Sequence, residues 1–176
     1  MKLTPVMKDF VVHWGEMGAK WGTNRTVAQL QAFLYISPEP LNADDIIDSL
    51  QIARSNVSSS LKELQNWKIV KVVHKFGDRR DHYELMKDVC AMFQTILDER
   101  KRREIDPTLQ ILKECISETD TKNKEDRYSR ERLVELLNFI ETMSLWYERM
   151  RKMSIDKIMG FVQLENKFSK FLKGSK

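Results

Sequence analysis

The sequence predicts a mainly α fold with one small β-hairpin and a further set of helices beyond it. Three observations carry that expectation. Apolar residues recur at three- and four-residue steps through most of the 176 residues, the spacing of a buried helical stripe. Glycine and proline number only 6 and 4, too few for the many turns of an all-β chain. One stretch alone, Ile69 to Lys75, is dense in β-branched residues and runs into a glycine, which reads as a strand and its turn. A chain of this length buries roughly two-thirds of its unfolded surface. It is too short for a large two-domain catalytic architecture.

The elements follow in order. Val6, Phe10, Val11, Trp14, Met17 and Trp21 place an apolar stripe on a first helix that ends around Gly18 to Gly22. Asn24 caps a second helix carrying Val27, Leu30, Phe33 and Leu34, which stops before Ser37 and Pro38 because proline disfavours helix at the preceding residue. Asn42 caps a short third helix, with Asp44 and Asp45 favoured in its first turn by the helix dipole and Ile46, Ile47 and Leu50 turned inward. After a turn at Gln51 to Ala53, a fourth helix runs from Arg54 to about Asn66. Its apolar residues Val57, Leu61 and Leu64 share one face, leaving a surface of small and polar side chains.

The hairpin pairs Ile69 to Lys75 with His82 to Met86 across a basic tip at Gly77 to Asp81. Helical spacing returns with Val89, Phe93, Ile96 and Leu97 and continues to the charged run Arg100 to Glu104. Asp106 and Pro107 then read as the cap and first turn of a new helix, which holds Leu109, Ile111, Leu112, Cys115 and Ile116. Thr119 to Tyr128 reads as a loop and Ser129 as the cap of a last helix, with Leu133, Leu136, Leu137, Ile140, Met143, Tyr147 and Met150 on one face. A break near Ser154 precedes Ile158, Phe161, Val162, Leu164 and Phe168. The division expected from this order is a domain at 1–87, with a helical linker and dimerisation region at 88–176.

Helix, helix, helix, turn, polar helix and basic hairpin make the pattern of a winged helix-turn-helix. A helix that enters a DNA major groove ~12 Å wide must present short side chains outward. Arg54, Ser55, Asn56, Ser58, Ser59 and Lys62 meet that demand. Arg54, Ser55 and Ser59 are assigned towards bases, with Ser58 and Lys62 towards phosphate. The hairpin tip adds Lys75, Arg79 and Arg80, set along the DNA backbone or in the adjacent minor groove or, for the two arginines, in a solvated turn or a pair with Asp78 or Asp81. From Arg54 to Leu85 seven basic residues (Arg54, Lys62, Lys68, Lys71, Lys75, Arg79, Arg80) face four acidic ones (Glu63, Asp78, Asp81, Glu84). Asp44, Asp45 and Asp48 oppose this excess and are expected to face away from phosphates. For the whole chain the net charge is a mild +4, which names no partner by itself.

Leu34 and Tyr35, the region of Leu41, Ser58, and the wing residues Gly77, Arg79, Arg80, Asp81, Tyr83 and Glu84 together resemble the GbsR-type branch of the MarR-like winged-helix transcriptional regulators. The run from Glu99 to Leu109 after the wing is similar to that branch as well, and the likeness spans about Phe10 to Leu112. It implies a dimeric repressor or activator on a pseudo-palindromic operator, with terminal helices forming the dimer interface. Ala53 departs from the pattern, standing where such motifs commonly carry a capping Ser or Thr; Ser55 or Asn56 is expected to take over part of that cap. Dimerisation also follows from geometry, since one winged helix covers one half-site and two must sit about one DNA turn, ~34 Å, apart.

Other residues offer weaker signals. The aromatic residues Trp14, Trp21, Tyr35, Trp67, Trp146 and Tyr147 read either as core or as part of a cage for a quaternary ammonium effector. The resemblance supplies choline as the motive for the cage, with Trp14, Trp21, Trp146 and Tyr147 its assigned residues. His13, His74 and His82 lack metal-ligand spacing, and His74 and His82 read as exposed cross-strand neighbours. Cys90 and Cys115 read as two reduced core thiols. No GxSxG, Walker A or GxGxxG pattern occurs, so no enzyme and no cofactor is expected. With no apolar run near the ~18 to 20 residues of a membrane span, the expectation is a cytoplasmic regulator of transcription that represses as a homodimer on double-stranded DNA. The alternative is a winged helix used for protein assembly without DNA.

Overall fold

The computed structural model describes residues 2–120 and 122–152. The chain divides into two compact units, one ending at Leu97 and one beginning at Asp98. In the first unit helix α1 spans Pro5–Lys20, with Thr4 Oγ1 accepting from the Met7 amide at 3.3 Å. Helix α2 spans Arg25–Ile36, and Asn24 Oδ1 accepts from the Thr26 amide at 2.8 Å. Helix α3, Ala43–Leu50, is capped by Asn42, whose Oδ1 accepts from the Asp45 amide at 2.9 Å. Helix α4 runs Arg54–Asn66. Three of these starts thus use the Thr or Asn side chain that satisfies an orphan amide.

The sheet is antiparallel, in the order β1-β3-β2, with β1 Leu41–Asn42, β2 Val70–Lys75 and β3 Asp78–Leu85. Strand β1, two residues long and pairing Leu41 with Tyr83, has no counterpart in the sequence reading because two residues carry no periodicity. The hairpin is also tighter than Gly77 to Asp81 suggested: Lys75 pairs with Asp78, leaving Phe76 and Gly77 as the loop. Gly77 takes φ +80° there, a conformation that needs no Cβ.

The core joins these layers. Leu30, Phe33 and Leu34 from α2, Ile46 from α3, and Val57, Leu61 and Leu64 from α4 are buried with Ile69 and Leu85 of the hairpin. Helix α1 lies tight on α2 because two of its contact positions are glycines. A Cβ on Gly15 would stand 2.4 Å from Gln29 Cγ, and one on Gly18 would stand 2.4 Å from Ala28 Cβ. At the other end of α2, the Lys87 ammonium donates to the carbonyls of Leu34, Tyr35 and Ser37 at 3.0, 3.0 and 2.6 Å. A cation on the last carbonyls both satisfies them and complements the helix dipole.

Helix α5, Val89–Arg100, starts where Asp88 Oδ1 accepts the amides of Cys90 and Ala91, and it leads through a π-helical turn, Lys101–Ile105, into α6, Asp106–Glu118. The expected break at Asp106 and Pro107 is therefore absent. Proline cannot donate the ordinary i→i−4 bond, and the wide turn just before it, in which the Asp106 amide reaches back to the Lys101 carbonyl, carries the helix past that gap. Asp106 caps nothing; its Oδ1 accepts from Lys101 Nζ at 2.8 Å.

Helix α7, Lys124–Arg151, begins earlier than expected. Asn123 is its cap, accepting from the Glu125 amide at 3.0 Å, and Ser129 lies inside the helix. In the second unit α6 packs on α7, with Lys113 Nζ 2.8 Å from Glu141 Oε1. The apolar residues expected on one face of α7 divide between two. Leu133, Leu137, Ile140 and Tyr147 are half-buried, whereas Leu136, Phe139, Met143 and Trp146 form an exposed stripe at steps of three and four. The expected break near Ser154 and the apolar residues from Ile158 to Phe168 lie outside the described residues.

Cys90 and Cys115 are free thiols on the exposed surface rather than in the core. No helix among the described residues is long and apolar enough to cross a membrane.

Candidate nucleic-acid interface

The turn between α3 and α4 is held by Gln51, in the left-handed region at φ 54°, with its amide donating to the Ile47 carbonyl at 2.8 Å. Helix α4 then starts at Ala53 with no side-chain cap. Neither Ser55 nor Asn56 replaces it: no cap bond from their side chains is present, and Asn56 engages only through its backbone, its amide donating to Ala53 and its carbonyl accepting from Ser59 Oγ. The reason is positional, because a cap must precede the helix to reach its first free amides.

At about 100° per residue, the buried Val57, Ser60, Leu61 and Leu64 define the inner side of α4. Ser55, Ser59, Lys62 and Asn66 fall opposite them, and all four are exposed. Arg54 and Ser58 lie on the flank nearer α3, and Asn56 lies on the flank nearer α2. The structure thus brings Ser55, Ser58, Ser59 and Lys62 onto one outward surface, free of carboxylates at its crown.

Arg54 is engaged: its Nη2 stands 2.6 Å from Asp44 Oδ1. Asp44 therefore sits beside the start of α4, with its charge matched by the arginine. Nothing in sequence spacing announces this pair, which depends on the angle of the α3–α4 turn.

In the wing, Lys75 Nζ is 3.2 Å from Glu39 Oε2. Arg80 grips Asp78, Nε at 3.0 Å and Nη2 at 2.6 Å, and these bonds hold the Asp78 carboxyl well below the usual carboxylate range. Lys62 and Arg79 are exposed and face no acidic partner among the described residues. Phe76 is fully exposed at the tip. The two histidines are not an exposed pair. His82 pairs with Val73 and is only 3% exposed, with Nδ1 3.0 Å from the Arg80 carbonyl, while His74 points outward near Asp81. Alternation along the strand, one side chain in and the next out, separates them.

The four assigned cage aromatics occupy different places. Trp14 packs on Phe10 at a centroid distance of 5.6 Å and lines a cavity of about 200 Å³ with Tyr35, Gln31 and Met92. Trp21 lies at the end of α1, largely exposed, and does not line it. Trp146 and Tyr147 belong to α7. Trp146 is on the exposed stripe, and the Tyr147 hydroxyl donates to Asp98 Oδ1 at 2.8 Å, its pKa pushed up to about 12 chiefly by burial and then by that bond. Among the described residues no cluster of His, Cys, Asp or Glu is placed to hold a metal ion.

No protein-family model matches the chain. Among curated proteins it is similar to the HTH-type transcriptional repressor GbsR of Bacillus subtilis, at 21% identity over 154 residues, covering 84% of this chain and 85% of that one. Among solved structures it resembles one described as a transcriptional regulator, at 18% identity and a TM-score of 0.57, covering 82% of this chain and 99% of the other. A MepR mutant from S. aureus bound to an oligodeoxyribonucleotide aligns more loosely, at 18% identity and a TM-score of 0.39, over 76% of this chain and 89% of its own. The fold is a winged helix-turn-helix followed by further helices, as the sequence predicts.

Proposed function

We propose that this chain, a winged helix-turn-helix protein similar to the GbsR-type branch of the MarR-like regulators, is a sequence-specific DNA-binding regulator of transcription. It acts as a homodimeric repressor on a pseudo-palindromic operator. Residues 1–87 supply the DNA-binding part and 88–176 the dimerisation region. The observation that carries the reading is the crown of α4: small hydroxyls and Lys62, with no carboxylate among them, beside a wing whose Arg79 has no acidic partner among the described residues. A helix with such a crown can approach base edges closely, while Lys62 and Arg79 are available to phosphates. Arg54, Ser55 and Ser59 serve base contacts. Ser58, Lys62 and the wing cation Arg79 serve the backbone, Lys75 and Arg80 stand beside them in ion pairs with Glu39 and Asp78, and Asn56 meets the duplex on the α2 flank.

The homodimer is supported by α7. Its 28 residues span about 42 Å, and the Leu136, Phe139, Met143 and Trp146 stripe is exposed with the 3-4 spacing that packs helix on helix. An effector is supported by the aromatic cavity beneath Trp14, whose rings suit a quaternary ammonium such as choline. Millimolar choline is expected to raise the melting temperature, and no shift removes that part of the reading.

Selection from a random duplex library with the purified protein tests the function directly. The expected product is a two-fold symmetric site bound more weakly as salt rises and less tightly by Arg54→Ala and Arg79→Ala. An unenriched pool refutes DNA reading and leaves a winged helix devoted to protein assembly.

A further inference from the structure

A polar cleft of about 340 Å³ opens between the first turn of α2 and the side of α4. Asn24, Thr26, Asn56, Ser59, Ser60 and Glu63 line it. Asn24 Oδ1 is occupied as the α2 cap, which turns its amide nitrogen free to donate. The Thr26 hydroxyl and the Asn56 side chain have no acceptor among the described residues. Ser60 is the telling residue: it is only 3% exposed, it lines the cleft, and its hydroxyl makes no hydrogen bond among the described residues. The residue is buried except at this hydroxyl, which the cleft leaves open to solvent and to a ligand, since no fully buried side-chain polar atom among the described residues lacks a partner. Here four donors converge from two helices on one space, and the amide end of α2 adds partial positive charge. The carboxylate that lines the cleft, Glu63, accepts from Trp67 Nε1 at 2.6 Å. Donors without acceptors call for an oxyanion.

We propose that this cleft holds one backbone phosphate of the bound DNA through neutral donors, fixing the depth and register of α4. The inference rests on the reading of α4 as the DNA-facing helix. An α-helix with its side chains is about 10 to 12 Å across and the major groove ~12 Å wide, so each flank of α4 meets a sugar-phosphate strand. The cleft opens on the α2 flank, where Asn56 lies, and no lysine or arginine lines it. It therefore holds its phosphate without releasing a counterion of its own. That separates it from the contacts of Lys62 and Arg79.

The test uses the full chain, the double variant Thr26→Val with Ser60→Ala, and the duplex recovered by selection, carrying one neutral methylphosphonate at each backbone position in turn. Thermal melting first verifies that the variant folds like the wild type. The expected result is a position in each half-site where methylphosphonate weakens the wild type roughly tenfold or more, the loss of two charge-assisted hydrogen bonds. The double variant loses a similar factor on the unmodified duplex, keeps the wild-type salt slope, and suffers no further loss from methylphosphonate at that position. Wild-type affinity in the variant, penalties that multiply, or a shallower salt slope each overturn the proposal. Saturable binding of inorganic phosphate that the variant loses, with duplex affinity unchanged, assigns the cleft to a free anion and overturns it too. A wild-type chain that binds no duplex fails one step earlier, at the function itself. In that case the methylphosphonate series shows no position-dependent effect at all.

Discussion

Replacing Arg79 with Gln and, separately, Arg80 with Gln should change the salt dependence of operator binding very differently, although the two arginines are neighbours. Arg79 is exposed with no acidic partner among the described residues. Arg80 already spends its guanidinium on Asp78, at 2.6 to 3.1 Å. Each cation that neutralises a phosphate contributes about −0.9 to the slope of log affinity against log salt. Lys62 and Arg79 in both subunits of a dimer make four such contacts, a slope of about −3.6. Between 50 and 200 mM salt that set alone loses affinity about 150-fold. Arg79→Gln leaves two contacts, a slope of about −1.8 and a loss of about 12-fold over the same range. Arg80→Gln instead strands the Asp78 carboxylate at the wing, lowering affinity at every salt concentration while leaving the slope nearly unchanged. Fluorescence anisotropy with the selected duplex across that range reads both. An Arg79→Gln slope equal to wild type, or equal shallowing in both variants, refutes the assignment of Arg79 as the wing's phosphate contact.

Alkaline titration of the phenols should show Tyr147 ionising last, at about 12, with that step absent in Tyr147→Phe. Because the neutral phenol is the form favoured in the folded chain, its stabilising contribution is complete below the ordinary tyrosine pKa near 10 and fades as pH rises from there to about 12. Gly18→Ala places a Cβ 2.4 Å from that of Ala28 and should cost about 1 to 3 kcal/mol from overpacking, less at most about 1 kcal/mol of recovered helix propensity; urea denaturation measures it, and an unchanged midpoint contradicts the close seating of α1. Ala53→Ser supplies the cap that α4 lacks and should add about 1 kcal/mol, read as a higher melting temperature; no rise means that its first amides already have partners.

The first half of the chain was legible because local chemistry and tertiary packing agree there. Asn24 and Asn42 precede apolar stripes and do cap helices, and Val57, Leu61 and Leu64 at helical spacing are buried. Legibility fails where a signal has two physical solutions. Asp106 and Pro107 resemble a helix start, but a π-helical turn also relieves a proline. Ser129 resembles a cap, but Asn123 comes first and the helix runs through the serine. For the site, residue type correctly gathered the outward serines and Lys62, yet could not foresee which cations are already matched. Asp44 with Arg54 and Glu39 with Lys75 are pairs made by the tertiary turn. The cleft was hidden for the same reason, since Asn24 and Thr26 lie some thirty residues from Asn56 and Ser60 and only the crossing of α2 with α4 joins them.

The glycine seam between α1 and α2 bears on how the protein can be handled. Trimming the chain to begin after Gly22 would not tidy away a loose leader; it would peel Val11 out of the interior and lay bare the backbone trough in which α1 rests. Affinity tags are better fused ahead of Thr4, where the helix starts at the surface, than substituted for any part of those first twenty residues.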